Sequence, residues 1–540
     1  MLCSIWPFAH AAGPAWPTCR GATGEFGLGE IQFPNSGAAA AQKDFLRGLL
    51  LLHTFEYADA RHAFRAAERI DPTFAMAYWG EALSYDETLW YEEDVASARA
   101  ALVRLGATPE QRAAKAGTAR ERMYLASVEQ LYGAGDKAQR DAHYSAALAA
   151  LVQRYPHDLN ARALYALSLL GLSNGVRNVR NYMRAAAQAE EVLQVDPCQP
   201  GALHYLIHAT DDPVHAVLGL QAARRLVEVA PASEHAVHMA SHIYMALGMW
   251  NEVIRTNLAS VKIARADHMT AYHQMMFLIY AYLQENERKQ AGKWIALIAH
   301  EAAAVPTRQG QGQDQSQDQG QDQGQDQGQD QSEGPGGNSP VTLANDAAGA
   351  AKDARARLAY VRAMRLVETR GAAGANARVA VDSRGVTSIG YFAAQDFARG
   401  ISAGADLAEA RAALAQLHAR IAAARAAPTV VKVAWLDTVT DQELTEATLM
   451  ARALAGVIRY DQGDRAAGIA AVARAASAAD QLSFEYGPPW SVKPLRELLG
   501  ELLLADGRRA EAAAEFEKTL AMFPNRRLTL EDLAASRSAH

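Results

Sequence analysis

The chain has 540 residues, half of them hydrophobic, with a formal charge of −7. One ordinary hydrophobic core does not fill that length, so several domains or a repeat array are expected. The pI near 6.2, with no basic stripe to balance phosphate, argues against nucleic acid as a partner, and no apolar run approaches the roughly 20 residues that span a bilayer. Ala, Leu, Arg and Glu outweigh Val, Ile and Thr, which favours helix over strand.

Residues 1–37 form an N-terminal segment. Its start, MLCSIWPFAHAAGPAWP, is apolar but lacks the basic n-region and long h-region of a secretory signal. The expected compartment is therefore the cytoplasm, with the periplasm as the alternative if this segment is a degenerate signal ending near Ala11–Ala12. The three cysteines, Cys3, Cys19 and Cys198, are odd in number and form no C-x-x-C pair. They point to neither a disulfide framework nor a thiolate zinc site.

A repeating block is expected over 38–305. Counted from Ala41, Gly48, Ala60, Phe64, Ala67 and Pro72 fall at positions 8, 20, 24, 27 and 32 of a unit of 34. The same register returns near the C-terminus, where a count from Lys493 puts Gly500, Ala512, Phe516 and Pro524 at 8, 20, 24 and 32. On these residues the chain resembles the tetratricopeptide repeat family. The resemblance implies an all-α solenoid of helical hairpins, coiled as a right-handed superhelix. Small residues at 8 and 20 let the two helices of a hairpin approach closely.

At the front of the array His53 falls at position 13 of the first A helix, and Tyr78, Glu81 and Tyr85 lie on the next. Between Pro156, Pro197 and Pro231, each closing a helix, the register is fainter. Eight of the sixteen histidines then fall between His204 and His273. His204 and His208 occupy positions 5 and 9 of the unit from Pro200. His235, His238 and His242 occupy positions 2, 5 and 9 of the unit from Glu234, and His273 position 2 of the unit from Tyr272. Spacings of three and four place such side chains on one helix face.

In the tetratricopeptide family, positions 2, 5 and 9 face the concave groove. The resemblance therefore implies a ligand-binding groove lined by His204, His208, His235, His238, His242 and His273, with Asp211 and Asp212 in the turn at its rim; His53, Tyr78, Glu81 and Tyr85 form a second candidate patch of the groove at the front of the array. Two i, i+4 pairs, His204/His208 and His238/His242, form a four-nitrogen set that admits a divalent transition metal, with Asp211 or Asp212 as a further ligand or an orienting group. The same rings also suit a carboxylate or phosphate ligand, or a purely structural polar interface.

From Gln309 to Pro340 the chain is built on a Gly-Gln-Asp-Gln tetrad. It has no apolar face to bury, so 306–342 is expected to be a disordered low-complexity linker. A second repeat block follows over 343–530, with an irregular stretch at Arg370–Gly390, and 531–540 form a tail. The run from Phe484 to Pro494, rich in Pro and aromatics, leads into the last unit as a rigid connector or as a lid over the groove.

No catalytic residue is assigned. His238–His242 reads H-M-A-S-H, the helical His pair of a zincin, but Met239 stands where the general base is needed. Gly400–Gly404 matches G-x-S-x-G without a preceding strand to form the elbow. Over FLRGLLLLHTFEYADARHAFRAAERIDPTFAMAYWGEAL, GALHYLIHATDDPVHA, EHAVHMASHIYMALGMW and GPPWSVKPLRELLGELLLADGR, the chain further resembles a bacterial group distantly similar to tetratricopeptide repeat protein 38. That group carries Pro where this chain has Ala240, and a His near Arg496. The reading that follows is a scaffold holding a peptide, partner protein or small ligand in its groove. The alternative is a metal-binding protein built on the histidine patch, with metal-dependent catalysis as its extension.

Overall fold

The computed structural model describes Cys19 and residues 23–174, 176–303, 347–426, 439–484 and 487–538. The start of the N-terminal segment, with the signal reading placed on it, and the low-complexity linker lie outside the described residues. The described residues form 24 α-helices and one two-stranded ribbon, in which Asp86 pairs with Glu93 and Glu87 with Glu92. The front of the array comprises α1 (Gln42–His53), α2 (Tyr57–Ile70), α3 (Ala75–Leu83), α4 (Val95–Leu105), α5 (Pro109–Lys115), α6 (Ala119–Leu131) and α7 (Lys137–Arg154). The middle runs through α8 (Leu159–Gly171), α9 (Val179–Val195), α10 (Pro200–Thr210), α11 (Ala216–Val229), α12 (Glu234–Ala246), α13 (Trp250–Ala266), α14 (Tyr272–Gln284) and α15 (Arg288–Ala303). Then follow α16 (Ala347–Glu368), the short α17 (Ala375–Arg378), α18 (Gly390–Ile401), α19 (Leu407–Ala426), α20 (Asp441–Asp461), α21 (Arg465–Ala479), α22 (Leu495–Ala505), α23 (Arg509–Met522) and α24 (Arg527–Arg537).

Successive helices pack as antiparallel hairpins, and the first helices of neighbouring hairpins form a continuous inner row from α8 through α10, α12, α14, α16 and α18 to α20. This is an all-α helical-hairpin solenoid of the tetratricopeptide type. Local chemistry sets the helix starts. Pro200 occupies the first turn of α10, and Ser233 caps α12 by accepting from Ala236 N at 3.0 Å. Gly248, Asn286, Gly463 and Gly507 take positive φ just past α12, α14, α20 and α22, the left-handed exit that ends a helix.

The repeat positions read from the sequence meet in space. Phe64 of α2 lies between Gly48 of α1 and Gly80 of α3. A methyl group placed on Gly80 falls 2.4 Å from the Phe64 ring, and one on Gly48 falls 2.8 Å from it. Gly500 stands in the same relation to Phe516, at 2.5 Å. Ala normally favours a helix interior over Gly by about 1 kcal/mol, but here overpacking of about 1–3 kcal/mol opposes it. Gly80→Ala is therefore expected to lower the urea midpoint, and adding Phe64→Leu to restore part of the loss. A Gly80→Ala variant more stable than the parent would contradict this packing.

Among the described residues, the inner row does not enclose an open groove. Helix α1 curls back against α10, and the turn before α24 reaches α13 and α14. There Trp250 Nε1 donates to the Asn525 carbonyl at 2.9 Å, and Arg526 Nη1 to the Tyr280 hydroxyl at 2.9 Å. His53, Tyr78, Glu81, His204, His208, Asp211, Asp212, His235, His238 and His242 are consequently buried, while Tyr85 and His273 are half-buried. The histidines line a filled interior where α1 and the turn before α24 close over the inner row.

The cysteine reading needs correction. Cys19 and Cys198 form a disulfide, with Cα atoms 5.6 Å apart across 179 residues of sequence. Spacing alone cannot show such a bond, because the fold brings the N-terminal arm across the middle of the array. Asn160 Nδ2 donates to the Gln32 carbonyl at 2.7 Å, and Ala232 N to the Gly27 carbonyl at 3.0 Å. Together they lay the arm beside α8 and the turn before α12. No helix among the described residues is long and apolar enough to cross a membrane.

Candidate metal centre

Four helices of the inner surface, α1, α10, α12 and α14, bring the histidines together. The ring nitrogens sort into two sets, His204/His208/His235 and His238/His242/His273, with the ligand atoms of each set within 4.8 Å of one another. The sequence grouped the two i, i+4 pairs as one set of four. The structure instead gives each pair a third ring from the next inner helix.

Hydrogen bonds fix which nitrogen of each ring carries its proton. His204 Nδ1 donates to the His53 carbonyl at 2.7 Å. His238 Nδ1 donates to Asn257 Oδ1 at 2.7 Å, while the Asn257 amide is oriented by its own donation to the Val253 carbonyl at 2.8 Å. His242 Nδ1 donates to Asp211 Oδ2 at 3.2 Å. All three partners are acceptors at the contacting atom, so neutral His204, His238 and His242 each present a lone pair on Nε2. His238 Nε2 and His242 Nε2 are 3.1 Å apart, as are His204 Nε2 and His208 Nε2. His235 Nε2 is buried and makes no hydrogen bond among the described residues.

His238 Nε2 and His242 Nε2 face each other, and charging the His238 ring is costly here. Burial, with a smaller contribution from His242, holds His238 well below the usual imidazole range. Burial likewise depresses His208 and His235, lowers His204 to about 4, and, with His204 beside it, lowers His53 to about 3. Buried imidazoles with converging Nε2 atoms are the donor set a transition metal takes. Bonds of about 2.0–2.1 Å at a tetrahedral ion separate two nitrogens by roughly 3.3 Å, close to the spacing found.

The surroundings are apolar and anchored. The Phe277 ring stacks on His242 at 5.2 Å, and the Phe55 ring on His208 at 5.5 Å and against His204 at 4.3 Å. Phe55 has φ of 61° at the left-handed exit of α1, where α12, α14, α20 and α22 place Gly or Asn. A bulky residue at that conformation is strained, and its ring lies on the histidines. Asp211 is held by Arg177 Nη1 at 2.5 Å; Arg177 Nη2 reaches Asp212 Oδ2 at 2.7 Å. Asp212 accepts from Val214 N at 2.9 Å and His215 N at 3.1 Å in the turn before α11 and bonds His215 Nδ1 at 2.8 Å. Below His235, burial raises Glu234 to about 7, and burial with Glu234 beside it raises Glu56 to about 8. Ser233 Oγ donates to Glu56 Oε1 at 2.8 Å and Gln274 Nε2 to Glu234 Oε2 at 2.6 Å.

The remaining sequence candidates divide. His53 joins the cluster: its Nδ1 lies 2.8 Å from the Tyr205 hydroxyl, and its carbonyl orients His204. Tyr78, Glu81 and Tyr85 belong to a separate ion network of α2, α3 and α4. There Arg65 Nε donates to Glu81 Oε1 at 2.9 Å and Arg65 Nη2 to the Tyr85 hydroxyl at 2.8 Å, and Arg104 pairs with Glu81 and lies over the Tyr78 ring. The described ends of the connector before α22 lie near the histidine cluster. Phe484 and Gly487 line a small cavity with Asp211, His242 and Trp250, and the Tyr360 hydroxyl donates to the Pro489 carbonyl at 2.6 Å. Glu485 and Tyr486 lie outside the described residues. Sequence reading missed Asn257, Arg177, Phe277 and Phe55; of these, only Phe55 had a visible signal, a large aromatic at a turn position that takes Gly elsewhere.

No protein-family model matches the chain, and neither does any curated protein sequence. Among solved structures it is similar to the APC/C hetero-tetramer Cut9–Hcn1, at 10% identity and TM-score 0.35 over 94% of this chain and 79% of that one. It is similar to a human IFIT1 dimer with PPP-AAAA, at 10% identity and TM-score 0.34 over 93% and 90% of the two chains. It is also similar to yeast Tom70, at 10% identity and TM-score 0.28 over 92% and 95%. Scores this low carry nothing about ligands. The hairpin packing of Gly48 and Gly80 on Phe64, repeated by Gly500 on Phe516, is what makes this fold tetratricopeptide-like.

Proposed function

We propose that this protein binds transition metal in its buried histidine centre, the helical array serving as the scaffold that fixes the rings. The observation that carries this reading is the convergence of three buried or half-buried rings, His238 Nε2 and His242 Nε2 3.1 Å apart with His273 completing the set. A cation between them would take a bond from each Nε2. The open-groove scaffold is the weaker reading, because the groove positions are occupied by the protein's own interior. A protein or peptide partner is then a matter for the outer surface, as extended repeat arrays allow. The Cys19–Cys198 disulfide favours the exported alternative over the cytoplasm, since such bonds persist in oxidising compartments.

Elemental mass spectrometry of tag-free protein tests the metal reading, beside a variant with His204, His208, His238 and His242 changed to Ala. Near-stoichiometric metal in the parent, lost from a variant with unchanged helical circular dichroism, is expected. A parent that holds no metal after incubation with zinc, copper and iron salts sinks the reading.

A further inference from the structure

We infer that the centre is binuclear, two three-histidine sites related by the repeat itself; this rests on the metal reading above. The first site is His204/His208/His235 and the second His238/His242/His273. Their pairs are one repeat apart: His238 follows His204, and His242 follows His208, by 34 residues (238 − 204 and 242 − 208). In each site the third ring, His235 or His273, comes from the second residue of the next inner helix, α12 or α14. A repeat that reuses one backbone geometry thus builds the same donor set twice.

The two pairs fall into separate sets rather than one set of four. His208 Nε2 faces His204 Nε2, and His242 Nε2 faces His238 Nε2, each at 3.1 Å and each toward its own set. The opposite edges of His208 and His242 share Asp211 instead. Its Oδ2 lies 3.2 Å from His242 Nδ1 and 3.9 Å from His208 Nδ1, and Arg177 holds it in place. One anchored carboxylate therefore stands behind one ligand of each site, where an outer-sphere group orients an imidazole and raises its basicity.

All six donors are imidazoles, with no thiolate in either set. That composition selects zinc, copper, nickel or iron over calcium and magnesium, and three protein ligands leave a coordination position for an exogenous small ligand.

Stoichiometry decides the matter. Metal-free, tag-free full-length protein is titrated with Co(II), read by its visible absorption, and separately reloaded with Zn(II), desalted and analysed for metal. Breakpoints at two equivalents are expected for the unmutated chain, so the result does not depend on any variant folding. The double variants H204A/H235A and H238A/H273A, checked by circular dichroism, are each expected to retain one equivalent. A single equivalent in the unmutated chain overturns the binuclear inference while leaving a metal centre. No retained metal at all overturns both.

Discussion

Replacing Arg526 by Met is expected to destabilise the protein by about 3–5 kcal/mol, the usual cost of stranding buried charge. Arg526 is fully buried at the start of the last turn, beside α24. It donates to Glu497 twice, Nε to Oε2 at 2.6 Å and Nη2 to Oε1 at 3.0 Å, and its Nη1 lies 2.6 Å from Glu368 Oε1. Met keeps much of the volume but leaves Glu368 and Glu497 in a dry interior, with Lys493 Nζ, 3.0 Å from Glu497 Oε1, as the remaining cation at Glu497. Because Glu497 lies on α22 and Glu368 on α16, the loss loosens the C-terminal closure of the array. Urea denaturation followed by circular dichroism reads it as a lower midpoint. A midpoint unchanged from the parent would show that the network contributes nothing net.

The same network has a pH signature. Despite its burial, Arg526 and Lys493 hold the Glu497 carboxyl far below its usual range. A carboxyl depressed in the folded state contributes stability that is present above the ordinary carboxylate pKa and lost as pH falls toward its folded value. Parent stability should therefore fall more steeply below about pH 4 than that of Arg526→Met, and the gap between them should narrow. Parallel pH curves for the two proteins would refute the assignment of the depression to Arg526.

The second large effect is expected from Cys19 and Cys198. Closing a loop of 179 residues restricts the unfolded chain by up to about 5 kcal/mol on the loop-entropy scale. A Cys19→Ser/Cys198→Ser variant should show a lower urea midpoint than the oxidised parent, and reductant should bring the parent down to match it. Part of the arm's order will persist, since Ser36 Oγ donates to Glu121 Oε2 at 2.6 Å and Gln32 still accepts from Asn160. Alkylation of the denatured chain before and after reduction should reveal two additional thiols. Identical thiol counts would mean that the bond is not made.

Much of the fold was legible because tetratricopeptide packing depends on residue size at fixed spacings. Gly48, Phe64, Gly500 and Phe516 announce it without knowledge of any contact. The histidine cluster was legible too, as spacing on inner helices. Its organisation was not, because His235 and His273 complete their sets only once α12 and α14 lie beside α10 and α12. Asn257 and Arg177 gave no signal, since one is a polar residue on a second helix and the other sits in a turn before α9. Tyr78, Glu81 and Tyr85 lie apart from the histidines, where Arg65 and Arg104 draw them into an ion network of their own.

By itself, the sequence determined the helical periodicity, the small-against-aromatic hairpin packing and the repetition of a His pair one unit later, since all of these are set by neighbours within one or two helices. The tertiary structure decided that the groove is filled, that Cys19 meets Cys198, and which acceptor faces each Nδ1. Those depend on how the long array curls, a sum of small rotations at every hairpin that no single stretch of residues encodes.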